Sequence, residues 1–125
     1  MTLSVDVFMI GEDGRIDVLP VPDGCSDLAG FERWRTTVWG SEAVRALGAT
    51  YFPVLADSDL DVAPDQVADF RAECALIRDN IELIAAGDDP LHSHAAHTEG
   101  IAYRLKNIED AAVRAQELGG GVRIW

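Results

Sequence analysis

All three histidines of this chain fall within six residues, His92-Ser93-His94-Ala95-Ala96-His97. In an extended loop, residues two apart point the same way, so His92 and His94 can offer two neutral imidazoles to one metal ion. Imidazole is a common zinc ligand, and a zinc site is completed by further histidine, cysteine or carboxylate groups. His97 is the third candidate ligand, with Asp88, Asp89 and Glu99 close by in the chain. Zinc is thus the one cofactor the sequence points to. The competing expectation is a polar loop between helices that holds no cofactor.

The HxH step followed by His97 resembles the HxHxDH signature of metallo-β-lactamase-like hydrolases. Ala96 stands where that signature has its metal-binding aspartate, and 125 residues is short for that fold. No family follows from the resemblance.

Asp57, Asp59 and Asp61 have the DxDxD spacing that opens a calcium loop. An EF-hand also needs glycine at its sixth position and a bidentate glutamate at its twelfth. Counting from Asp57, those positions are Val62 and Ala68, so the turn residue and the closing ligand are both missing. These acids read instead as a solvated turn, with Asp61 and Asp65 favouring the N-terminus of the following helix.

A third arrangement lies on that helix, expected from Pro64 to Ala86 with Gly87 after it. Leu76 and Leu83 fall roughly 140–180° from Val67 at 100° per residue, opposite the main apolar seam. Asp65, Asp69 and Asp79 sit on or beside this second face. An apolar strip bordered by carboxylates suits a partner with a basic rim and an apolar anchor. Together with Asp57, Asp59 and Asp61, these residues form the candidate partner-binding set. The alternative is that Leu76 and Leu83 are covered by another element of the fold.

Other catalytic signatures are absent: there is no GxSxG, Walker-type loop, GxGxxG after a strand or HExxH. Gly119-Gly120-Gly121 follows a helix and precedes a strand, the reverse of a phosphate-cradling order. No catalytic residue is therefore assigned. Cys25 and Cys74 have no metal-ligand spacing, and both are expected as free thiols, Cys74 in a helix seam and Cys25 among turn residues. Arg35 falls inside an apolar stripe. Its expected role is packing along an aromatic ring, with capture of an anionic group as the functional alternative.

The formal net charge is −12, and residues 49–90 hold ten acids against two bases. A field of that sign repels phosphate backbones, which argues against direct nucleic-acid binding, and attracts a cation or a basic protein. No apolar run approaches the ~20 residues of a membrane span. The start, Met1 to Ile10, carries Asp6 and lacks the basic region of a signal peptide, so a soluble cytoplasmic protein is expected.

The elements that must position these groups follow from periodicity. Leu3, Val5, Val7 and Met9 alternate with more polar positions, and Gly11 to Gly14 turn the chain towards Ile16, Val18 and Leu19, giving a hairpin. Ser26 is placed to cap a helix running to Trp39, with Leu28, Phe31, Trp34, Val38 and Trp39 as its stripe. A short helix follows from Ser41 to Leu47. Tyr51 to Leu55 read as an edge strand because Pro53 lacks a donor, and Leu60 and Val62 extend it or add a further one. The seam Val67, Phe70, Cys74, Ile77, Ile81, Ile84 marks one long helix. After a loop from Asp88 to His97, the stripe Ile101, Leu105, Ile108, Ala112, Ala115 marks another. Val122 to Trp125 form a last strand.

The fold class is thus α+β in a single domain over 1–125, with a mostly antiparallel sheet and two long helices packed on one face. The strands are the N-terminal hairpin, a middle edge strand and the C-terminal strand. For function, the leading expectation is a small acidic binding or regulatory module. Its concrete form is an inhibitor or immunity-type protein that neutralises a basic enzyme. A metal-dependent enzyme using His92, His94 and His97 is the alternative from another class. A homo-oligomeric structural protein, dimerising through Leu76 and Leu83, is the third.

Overall fold

The computed structural model describes residues 1–86 and 93–125. Among these residues, five strands form one antiparallel sheet: β1 (Thr2–Ile10), β2 (Ile16–Val18), β3 (Leu28–Phe31), β4 (Leu60–Val62) and β5 (Gly121–Ile124). The order is β2-β1-β5-β4, with β3 also pairing β1. Ser4 and Trp125 exchange both main-chain bonds, at 2.8 and 3.0 Å, on one edge of β1. Val5 N–H reaches Asp27 O and Leu19 N–H reaches Val7 O, each at 2.8 Å, on the other. β3 and β2 therefore lie end to end along the same edge.

Alternation along β1 gives the sheet two different faces. Leu3, Val5 and Val7 join Leu60, Val62, Val122 and Ile124 on the helix side, all buried. The opposite side carries Asp6, Asp61, Arg123 and Trp125. There the indole Nε1 of Trp125 donates to Asp6 at 2.8 Å, and the Arg123 guanidinium stacks over Phe8 and Trp125.

Among the described residues, four α-helices accompany the sheet: α1 (Glu42–Ala46), α2 (Val67–Arg78), α3 (Ile81–Ala85) and α4 (His94–Leu118). Helix α4 packs against β1, β3 and β5, and α2 and α3 pack against α4. Both expected seams are buried in full, from Val67 to Ile84 and from Ile101 to Ala115. Ser41 caps α1 by accepting from Val44 N–H at 3.3 Å. Gly119 ends α4 in the left-handed region, at φ 75°, which glycine adopts without a Cβ penalty.

Four local expectations need correction. Residues 26–39 are no single helix: Leu28 to Phe31 pair with Thr2 to Ser4 as β3, and a π-helical turn spans Arg35–Trp39. The open edge of β1 offers these residues main-chain partners, and tertiary pairing outweighs a helical stripe. Gly30 has φ +119°, and a Cβ there would meet the Trp34 ring at 2.5 Å, so this strand is built around a glycine.

Tyr51 to Leu55 do not form a strand. They turn into a 3-10 helix, Phe52–Ala56, in which Pro53 sits in the first turn, where its missing donor costs nothing. The long helix from Pro64 starts as a 3-10 turn, Pro64–Gln66, and breaks between Arg78 and Ile81. Asn80 causes the break: at φ −125°, ψ 20°, its side-chain amide donates to Leu76 O at 2.8 Å in place of a continuing helical bond. Finally, the expected loop from Asp88 to His97 ends earlier. Ser93 caps α4 through Ala96 N–H at 3.1 Å, so His94 and His97 are helical. Asp88, Asp89 and His92 lie outside the described residues.

Candidate functional site

Three sides of α2 have three fates. The seam Val67, Phe70, Cys74 and Ile77 faces the core. About 120–140° round the helix from Asp65, Arg71 and Arg78 turn towards α4. Arg71 Nη1 donates to Gln116, and Arg78 Nε donates to Glu109 at 2.8 Å. The remaining side carries Asp65, Asp69, Ala72, Leu76 and Asp79 within an arc of about 80°. All of these are exposed except Leu76, which is half-buried, and Leu83 on α3 is 57% exposed. No element of the described residues covers Leu83. No cationic side chain among the described residues pairs with Asp65, Asp69 or Asp79.

The 3-10 turn extends this surface. Tyr51 packs edge-on against Phe70, with ring centroids 5.7 Å apart, and Val54 is exposed beside it. Burial, then the charges of Asp69, Glu73 and Asp65, hold the Tyr51 hydroxyl above its ordinary pKa. The hydroxyl therefore shares the field of the two outward aspartates.

The other acids of the candidate set divide. Asp57 is exposed and without an ion pair among the described residues. Asp59 pairs with Arg35 at 2.7 Å and Asp61 pairs with Arg123 at 2.6 Å, so both carboxylates are engaged inside the fold. Arg35 is a staple. Its Nε donates to Glu32 at 2.6 Å, its Nη1 to Leu55 O and Ser58 O at 3.2 and 2.8 Å, and its Nη2 to Asp59. With its side chain only 17% exposed and three nitrogens engaged, it ties the π-helical turn to the segment before β4.

His94 and His97 both lie in the first turn of α4 and differ in burial. His94 is exposed, whereas His97 is buried and edge-on to Trp34, with centroids 5.9 Å apart. Among the described residues, no group of three or more histidine, cysteine or acidic side chains is arranged to hold a metal ion. Cys74 is buried and Cys25 exposed, and both are free thiols.

Two residues matter that the pattern of the sequence did not single out. Glu73 is buried, and its carboxylate accepts from Thr50, Tyr51 and Phe52 N–H at 2.6 to 3.1 Å, capping the 3-10 turn. An acid at the edge of an apolar seam was the available signal. Arg104 lies over the rings of Phe31, Trp34 and Tyr103, 5.2 to 5.6 Å from their centroids. Its buried Nε has no hydrogen-bond acceptor among the described residues.

Between α2 and α4 runs a trough of about 470 Å³, lined by Ala68, Ala72 and Ala75 on one wall and Val113 on the other. Arg71, Glu109 and Gln116 border it, and Cys74 lies at its base. No helix of the described residues is long and apolar enough to cross a membrane. Comparison with protein-family models, with curated proteins and with solved structures returned no match to this chain.

Proposed function

We propose that this chain is a protein-binding regulatory module, an inhibitor or immunity-type protein that neutralises a basic enzyme through the outward face of α2. The observation that carries the reading is the segregation of charge on that helix. Arg71 and Arg78 are turned to α4 and held there, while Asp65, Asp69 and Asp79 point outward with no cationic partner among the described residues. Leu76, Leu83, Tyr51 and Val54 supply apolar area on or near the same surface. A basic partner gains steering and register from the carboxylates, and affinity from covering the apolar groups.

Native mass spectrometry of the chain purified gently from its source tests this. A basic protein should co-purify, and the Asp69→Lys/Asp79→Lys variant should lose it while melting normally. A partner retained by that variant, or a bare chain, overturns the reading.

A further inference from the structure

We propose that the chain pairs with a second copy of itself along the open edge of β2, antiparallel and in a register centred on Ile16. This edge belongs to the hairpin and does not depend on the α2 face binding a partner. Gly11 N–H donates to Arg15 O and Leu19 N–H to Val7 O, each at 2.8 Å. Between them run the pairs Ile10↔Ile16, Met9↔Asp17 and Phe8↔Val18. Bonded and non-bonded pairs alternate in an antiparallel ladder, so Arg15, Asp17 and Leu19 turn their main-chain groups to β1. The N–H and C=O groups of Ile16 and Val18 point the other way, and no hydrogen bond from the described residues reaches them. Every residue of β2 is exposed.

The charges along this edge select its occupant. Edge strands are commonly protected by charges that repel a second strand. Here Arg15 and Asp17 are of opposite sign, both exposed and without an ion pair among the described residues. Three two-fold registers are centred within β2. Centred on Ile16, that residue exchanges both main-chain bonds with its counterpart, and Arg15 stands opposite Asp17 of the second copy on either side of the axis. These are non-bonded positions, with Cα atoms about 4.5 Å apart, where side chains come closest and opposite charges attract. Centred on Asp17, the two Asp17 carboxylates would oppose each other. Centred on Val18, Ile16 would meet Pro20, which has no N–H to give. The turn acids do not oppose the chosen register. Asp13 of the two copies would lie about 20 Å apart along the strands, beyond the ~8 Å screening length at physiological salt.

The same register extends an apolar row. Ile10 and Ile16 are neighbours on the side of the sheet away from the helices, and are 49% and 46% exposed. Pairing sets Ile10 and Ile16 of one copy in line with Ile16 and Ile10 of the other, giving each Ile16 a β-branched neighbour across the axis. Because β2 is three residues long, the contact falls below the ~1,200 Å² of a stable interface, and the dimer is weak and reversible.

Sedimentation velocity on the full chain tests the pairing. The mean mass should rise from one chain towards two between about 10 µM and about 1 mM, the range of a small interface. Arg15→Asp and Asp17→Arg each set like charges opposite one another and should weaken the dimer at least about tenfold. An equimolar mixture of the two variants restores opposite charges and should dimerise like the parent. In a Cys25→Ser background, Ile16→Cys should form an intermolecular disulfide on mild oxidation, because bonded partners have Cα atoms about 5.5 Å apart. Val18→Cys, about 14 Å from its counterpart, should not. A chain that stays monomeric at the highest concentration overturns the dimer, and so does one whose association neither charge variant alters. A mixture no tighter than either variant alone overturns the charge pairing. A disulfide that forms faster through Val18→Cys than through Ile16→Cys overturns the register.

Discussion

The Glu73 carboxylate accepts from the Phe52 main-chain N–H at 2.8 Å, joining α2 to a 3-10 turn 21 residues earlier in the chain. Thr50 and Tyr51 donate to the same carboxylate, so one buried acid serves as the cap for the turn that carries Tyr51 and Val54. Removing it leaves several N–H groups without their acceptor. Glu73→Ala should therefore cost about 2–3 kcal/mol, measured by urea unfolding, and Glu73→Gln about half as much, because one oxygen remains. A loss below about 0.5 kcal/mol for the alanine variant would mean that water replaces the carboxylate.

Arg35 is expected to act on stability and leave binding alone. Its engaged nitrogens hold Glu32, Asp59 and two carbonyls around a mostly buried stem. Arg35→Gln should lower unfolding free energy by about 1–2 kcal/mol, since a partly buried charge-assisted network is lost. Affinity for a co-purified partner should be unchanged. Lost binding with an unchanged melting temperature would return Arg35 to the role of an anion ligand.

The two thiols should separate cleanly. At neutral pH a disulfide-exchange reagent should titrate Cys25 quickly and reach Cys74 only in denaturant, because one is exposed and the other buried. Burial first, then the charges of Glu109 and Glu73, pushes the Cys74 thiol far above its ordinary range. Because its folded pKa lies above its unfolded value, the contribution of the protonated thiol is complete below about pH 8.5 and is lost as pH rises beyond it. The fall in stability at alkaline pH should be shallower in Cys74→Val. Equal reaction rates for the two thiols would contradict the placement of Cys74.

Tyrosine ionisation reports on the proposed face directly. Tyr51 is raised by burial and by Asp69, Glu73 and Asp65, whereas hydrogen bonds involving Ser26 and Asn107 lower Tyr103. Ultraviolet titration should therefore show Tyr103 ionising first, assigned with Tyr51→Phe and Tyr103→Phe variants. Asp69→Asn removes a negative neighbour, which makes the phenolate less unfavourable, so Tyr51 should titrate at lower pH in that variant. An unmoved Tyr51 would place its hydroxyl outside the field of the outward aspartates.

Short-range signals in the sequence determined the α+β class, the first hairpin, the seams of α2 to α3 and of α4, the Ser41 cap and the Gly119 stop. Each depends on residues a few positions apart, where periodicity and capping chemistry act directly. What lies between was decided by partners distant in the chain. Leu28 to Phe31 carry a helical spacing and still form a strand, because the edge of β1 supplies their hydrogen bonds. Phe52 to Ala56 form a turn through Glu73, and Asn80 divides what its pattern presents as one helix. The candidate face was legible only in part for the same reason. Helical angle places Asp65, Asp69 and Asp79 together. Only the tertiary fold sets Arg35 against Asp59 and Arg123 against Asp61, so that like acids a few residues apart end up with opposite roles.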